Sequence, residues 1–509
     1  MARDLCLSFC AALAMRGLGV MVRTVSALRL TKSVLDDPFS DAHRRRLVEL
    51  CWDGALVLLV ALLLATPAIW NGYPLIYHDT EDYVTMSFTW DPPPWRIIGY
   101  TVVAWLGRPF GTLWSVVILQ SLIGSWLLHE VASAFLSRWR RWGFLVLSLS
   151  LIATTGLPWM TSELMPDVFA GFVPLIVGVL AFGSSLSLGR RLLLSAIGVL
   201  SILVHMSHVA VAAGLLIVLA ALWVGSRYIR SLPRPALGLA ALTVILGTLA
   251  VPAIHAAATG KPFFSRGGRV LQLALFVQNG IAKTYLDTVC PRGAHYKLCP
   301  YRDQLPSTAD AFLWAHWASP FWKLGGWNGM QQEAEQIVDG AIQEYPGEIV
   351  KGAASNTWTQ YWEIELGDGL APKRHPHWPG EYYDVGKARY PHEFQDYLAA
   401  RQQRGGGIDF RPLNDMQVPL AEAGRLLALM LTVLALRRAD RVGAGLGILI
   451  LLALLGNAIV CGAISNPHER YQNRVVWDAL AVALILVGRY RGTEPLGIDV
   501  KQGRAAETA

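Results

Sequence analysis

The sequence predicts an all-α, polytopic transmembrane helix bundle of about ten spans, with one large, mainly helical extracytoplasmic loop domain. Three observations predict it. Of 509 residues, 53% are hydrophobic and only 16% charged, against about a quarter charged in soluble domains. The apolar residues gather in long blocks, as spans of roughly 20 residues require. Lysine and arginine recur at every second junction between blocks, the pattern that marks cytoplasmic loops.

Ten blocks qualify: 51–70, 112–136, 143–159, 167–185, 192–207, 209–225, 236–256, 420–436, 443–463 and 475–489. Arg44, Arg45 and Arg46 precede the first. Arg138, Arg140 and Arg141 follow the second, and Arg190 and Arg191 the fourth. Arg227, Arg230 and Arg234 follow the sixth, Arg437, Arg438 and Arg441 the eighth, and Arg489 and Arg491 the tenth. Both termini are then cytoplasmic. The chain divides into a cytoplasmic N-terminal tail (1–50), a seven-span block (51–256), an extracytoplasmic loop domain (257–419), a three-span block (420–489) and a cytoplasmic tail (490–509). Leu5 to Val22 is apolar but interrupted by Arg16 and has no small-residue cleavage site, so it does not read as a signal peptide. The net charge of +7 reflects membrane orientation and not nucleic-acid binding, since no basic stripe lies on a soluble region.

The loop domain is too aromatic for a solvated linker, carrying Trp314, Trp317, Trp322, Trp327, Trp358, Trp362 and Trp378. These rings suit either the domain's own core or contact with lipid headgroups and sugar rings. Ala274 to Tyr285, Gln331 to Tyr345 and Gly347 to Trp362 space their apolar residues as helices do. Gly367 to Pro391 is rich in Pro, His and Tyr and reads as irregular. Cys290 and Cys299 lie in a polar segment of a loop expected to face an oxidising compartment, where disulfides persist, and are expected to be bridged. Their spacing does not suit a zinc knuckle. Cys6, Cys10, Cys51 and Cys461 read as packing residues.

The predicted outward junctions gather the remaining ionisable residues. The first loop (71–111) carries Asp79, Glu81 and Asp82. Glu163 and Asp167 lie in the turn at 160–167, and His205 and His208 in the turn at 205–208. The last turn holds His468, Glu469, Arg470 and Arg474. A helical turn places Asp79 and Asp82 on one face with Glu81 beside them. Crowded carboxylates raise one another's pKa or recruit a cation, which suits a general base or a weak divalent site for Mg or Mn. An acidic first turn favoured by the helix dipole is the plain alternative. The two histidines suit a shared metal or interfacial hydrogen bonds. Arg470 and Arg474 present guanidinium forks suited to phosphate; a salt bridge to Glu469 or to the acidic first loop is the alternative. No Walker loop, G-x-G-x-x-G, H-E-x-x-H or G-x-S-x-G stands where it would serve. ATP-driven transport, dinucleotide chemistry, zincin proteolysis and serine hydrolysis are disfavoured, and no cofactor is required.

The run Asp79-Thr80-Glu81-Asp82-Tyr83, followed by Pro93-Pro94-Trp95-Arg96-Ile97-Ile98-Gly99-Tyr100 and later by Ser162-Glu163, resembles the integral-membrane glycosyltransferases of the GT-C class. That class includes protein mannosyltransferases, lipid A aminoarabinose transferases and bacterial relatives. The resemblance covers roughly 51–240; the Arg/Pro order is altered, and the Trp-Trp-Asp-Tyr-Gly motif of the oligosaccharyltransferase branch is absent. It implies a bacterial inner-membrane enzyme taking sugar from a polyprenyl-phosphate donor to a glycan, lipid or protein acceptor, in one inverting displacement. In that reading Asp79 is the base, with Glu81 and Asp82 as alternatives. Arg470, Arg474 and His468 would hold the lipid phosphate, and Glu163, Asp167, Arg96 and Tyr100 would position substrate. The competing readings are a transporter or flippase for lipid-linked glycans, a glycan polymerase or ligase, and a structural assembly subunit.

Overall fold

The computed structural model describes residues 41–136, 140–183, 186–375 and 381–492, with side chains from 47 to 490. The stretch Leu5–Val22, Cys6, Cys10, Arg138, Trp378 and the tail after 492 lie outside the described residues. Among those described the chain is helical, without a strand.

Each of the ten apolar blocks falls on helix. Among the described residues six helices are long and apolar enough to cross a membrane: Leu47–Leu64, Trp114–Phe135, Met206–Gly225, Leu237–Thr259, Arg411–Arg437 and Arg441–Ile464. The other four differ for two reasons. Arg140–Thr154, Val168–Phe182 and Leu188–Leu203 have only 15, 15 and 16 residues, short of the roughly 20 that a bilayer needs. Glu469–Gly492 is long enough but carries Arg470, Arg474, Asp478 and Arg489. Every residue of Val168–Phe182 is buried, so this helix is apolar because it is the bundle's core. Phe169, Phe172 and Val173 join Trp477 and Val482 of the last helix there.

Short helices begin at proline, where the absent N–H is not missed: Thr66–Asn71 and Leu157–Ser162 both do so. Between them, Leu75 N–H donates to Ser162 O at 3.0 Å and Leu164 N–H to Leu75 O at 3.0 Å. This small parallel bridge ties the first loop to the turn bearing Glu163 and Asp167.

The insertion is two structures. Residues from Val270 to Ala341 form their own core around Phe312, Phe321 and Trp327. Cys290 and Cys299 close a disulfide there, with Cα atoms 5.7 Å apart. The single helix expected from Ala274 to Tyr285 is in fact two, Gly268–Gln278 and Ile281–Val289. Gly280, at φ 74°, breaks it, a conformation costly to any residue with a Cβ. Gln331–Glu344 and Pro346–Trp362 are helical as expected. The later segment has only short helices, such as Tyr383–Arg389. Its Tyr382, Tyr390, Phe394, Tyr397 and Phe410 belong to the core of the bundle itself, which seats this part of the insertion over the first loop.

At the opposite end of the bundle, four of the predicted cytoplasmic arginines are paired. Arg140 and Arg141 each reach Asp53 at 2.7 Å, Arg190 reaches Glu130 at 2.6 Å, and Arg489 reaches Asp440 at 2.7 Å.

Candidate functional site

The first loop folds into the helix Thr80–Thr89, with Asp79 at its N-cap. Trp90, at φ 54°, ends it, and the chain returns through the three prolines to Arg96. The guanidinium of Arg96 pairs with Asp79 and reaches Asp82 Oδ2 through Nε at 2.9 Å. Trp95 Nε1 donates to the same Asp82 oxygen at 2.9 Å. The helical turn thus turns both carboxylates to one partner, and that partner is a guanidinium. Glu81 lies beside them on the same turn.

Asp79 also meets Arg470 Nη2 at 3.4 Å, across 391 residues of sequence. Of the alternatives for Arg470, the ion pair to the acidic first loop is formed. Arg470 Nη1 lies 3.7 Å from Asp167 Oδ2, and Arg474 Nη1 lies 3.1 Å from Asp167 Oδ1. Arg474 donates further to Ser207 Oγ at 2.9 Å and Asn457 Oδ1 at 3.4 Å. The result is a chain of alternating charge, Asp82–Arg96–Asp79–Arg470–Asp167–Arg474. Tyr77 and Tyr471 pack their rings 4.2 and 4.8 Å from the Arg470 guanidinium.

The chain of charges leaves donors over. Arg470 Nε and Nη1 and Arg474 Nε are buried and find no hydrogen-bond acceptor among the described residues. Buried donors are nearly always satisfied, so each exception calls for a cause. An anion seated against Arg470 would supply the missing acceptors.

Two carboxyls here have opposite character. Burial pushes Asp79 upward, but Arg96 and Arg470 outweigh it and hold the carboxyl below its ordinary value. Glu163 is driven well above its ordinary value by burial and by Asp167. Its turn is held by Gln120, whose Nε2 donates to Thr161 O at 3.1 Å and Glu163 O at 2.8 Å. Tyr100 Oη donates to Gln120 Oε1 at 2.7 Å. Tyr100 is fully buried and supports the Glu163 turn from behind. Gly99 explains its own place in the motif, because a Cβ there would strike the carbonyl of Leu203. Gly99→Ala is expected to destabilise the protein by about 1–3 kcal/mol, as overpacking does; a thermal melt checks this.

Sequence reasoning missed what the insertion contributes. Lys373 is buried, with Nζ 3.0 Å from His78 Nε2, next to Asp79. Burial lowers its pKa to about 8. His468 lies between Asp310 and Asp368, at 3.4 and 3.5 Å. Burial opposes its charge, yet hydrogen bonds to these two aspartates push it up to about 11. Lone charged residues, Asp310 in a short helix and Asp368 and Lys373 in the irregular segment, give no spacing signal and were invisible before folding.

The sign of the His468 effect is definite. Its folded pKa exceeds the ordinary 6.5, so its contribution to stability is complete below that pH and is lost as pH rises toward 11. Wild type is expected to lose melting temperature across that window more steeply than His468→Gln. Parallel curves would mean that the paired charge contributes nothing.

His205 and His208 each have Nδ1 engaged in a local hydrogen bond, with their rings 5.3 Å apart. His205 Nδ1 meets Ser207 Oγ at 2.8 Å, and His208 Nδ1 meets Ser201 O at 2.7 Å. Among the described residues no group of three or more His, Cys, Asp or Glu is placed to hold a metal ion. At Asp79 and Asp82, Arg96 occupies the position that a bridging cation would take. The chain matches no family model, no curated protein and no solved structure.

Proposed function

We propose that this chain is an integral-membrane glycosyltransferase, moving a sugar from a polyprenyl-phosphate donor to an acceptor outside the cytoplasm. One observation carries the reading. Asp79 of the first loop and Arg470 of the last helix are paired at one end of the bundle, with buried guanidinium donors left over. A carboxylate to take a proton and a cation to take a phosphate are what the reaction needs.

The chemistry follows from that pair. Donor phosphate binds Arg470, completes its donors and draws it from Asp79. With one cation engaged elsewhere, the Asp79 carboxylate becomes more basic. The acceptor oxygen or nitrogen attacks the anomeric carbon while the bond from that carbon to the phosphate oxygen breaks. The acceptor's proton passes to Asp79. The electron pair leaves with the phosphate, whose charge Arg470 stabilises. Glu163 positions the sugar or acceptor, and Asp167, itself paired with Arg474, holds Arg470 in place. The enzyme would lie in the bacterial inner membrane with both termini cytoplasmic and this cluster facing outward.

The test is transfer of label from radiolabelled polyprenyl-phosphate sugars to a membrane extract by the protein in bilayers. Label moving from at least one donor supports the reading. Lipid bound from every donor but never consumed would favour the carrier, for which the same ion chain would line a path.

A further inference from the structure

The helix Pro346–Trp362 turns two amides inward and a row of apolar side chains outward. Gln360 and Asn356 face the protein. Gln360 is fully buried, its Nε2 donating to His468 O at 2.8 Å and its Oε1 accepting from His468 N–H at 3.0 Å. Asn356 Nδ2 donates to Asn279 Oδ1 at 3.3 Å, and the Asn356 carbonyl sits against Gly462. One row of its apolar residues faces out. Val350, Ala354, Trp358 and Trp362 recur every four residues, and all four are exposed, Trp358 to 67%. Lys351, Ser355 and Thr359 flank this stripe. A helix on a water-covered surface does the reverse.

The helix also packs against two candidate spans. Tyr361 packs against the cluster of Ala428 and Leu454, residues of the candidate spans Arg411–Arg437 and Arg441–Ile464. Arg425 of the first of these is buried. It donates to Tyr361 O at 2.6 Å, pairs with Glu422 and lies 4.6 and 4.7 Å from the rings of Tyr361 and Trp362. A charged residue in a span needs such partners, and the insertion provides them. Leu426, Ile459 and Ile464 of the same two spans are exposed apolar side chains as well, as on a surface that lipid covers.

We propose that Pro346–Trp362 is a lipid-immersed anchor, its Val350–Ala354–Trp358–Trp362 stripe seated in the bilayer edge with the tryptophans at the headgroup boundary, as such rings prefer. The assignment is independent of the catalytic reading.

A nitroxide at Trp358→Cys tests it. Cys6, Cys10, Cys51 and Cys461 are replaced by alanine, the disulfide is kept, and the chain is reconstituted in phosphatidylcholine–phosphatidylglycerol vesicles. Collisions with oxygen and with a nickel chelate are then measured. Frequent oxygen and few nickel collisions are expected, as at Leu429→Cys on a candidate span and severalfold apart in ratio from His295→Cys in the loop domain. Val350→Cys gives the same reading if Trp358→Cys does not fold. Nickel collisions like those at 295 would overturn the proposal. So would low collisions with both reagents, because a second protein would then cover the stripe.

Discussion

Asp79→Asn is expected to lower sugar transfer about 10²–10⁴-fold, the usual loss when a positioned base is removed. The substitution keeps the shape of the side chain and removes only its charge and basicity. Arg96 retains Asp82 at 2.9 Å, and Arg470 retains Asp167 at 3.7 Å. Donor lipid should therefore still bind, because the cation that meets phosphate is untouched and has lost a competitor. Turnover and donor binding measured on the same preparation separate the two effects. Turnover unchanged in Asp79→Asn would move the base to Glu81, Asp82 or Glu163.

Arg474→Met is expected to destabilise the fold by about 3–5 kcal/mol, the cost of breaking a buried ion pair from one side. Arg474 is fully buried and binds three other segments at once, through Asp167, through Ser207, and through Asn457 and Cys461 of one helix. Without it Asp167 keeps only the longer contact to Arg470, and Asn457 and Ser207 each lose a charged donor. Denaturation in detergent checks this, with Arg437→Met as the comparison. Arg437 is exposed, and substitutions of that kind stay within about 0.5 kcal/mol. Equal stabilities in the two variants would show that the ion chain does not hold the helices together.

How far the sequence reaches differs from element to element. Apolar block length located helices over all ten segments, because a helix in lipid and a helix in a packed core both need continuous apolar sequence. For the same reason it could not separate Val168–Phe182, enclosed by other helices, from a lipid-facing span. The arginines at alternate junctions read as orientation marks alone, yet Asp53, Glu130 and Asp440 are buried or half-buried and hold four of them. Alternation of charge grouped Asp79, Glu163, Asp167, Arg470 and Arg474 at one end. Which carboxylate meets which arginine depends on helix packing between residues hundreds of positions apart, and no local pattern encodes it. Tyr100 was assigned to substrate by its motif; its hydroxyl instead goes to Gln120, a glutamine that no spacing singled out.

With Asp79 as base, the sugar moves in a single displacement and no covalent sugar–enzyme intermediate forms. The anomeric configuration of the transferred sugar tests this most directly. It can be read by nuclear magnetic resonance on product made from a donor of known configuration. One displacement predicts an inverted centre in every product molecule. A retained configuration would require two displacements and a nucleophile on the enzyme, and would contradict a role for Asp79 as the base of a one-step transfer.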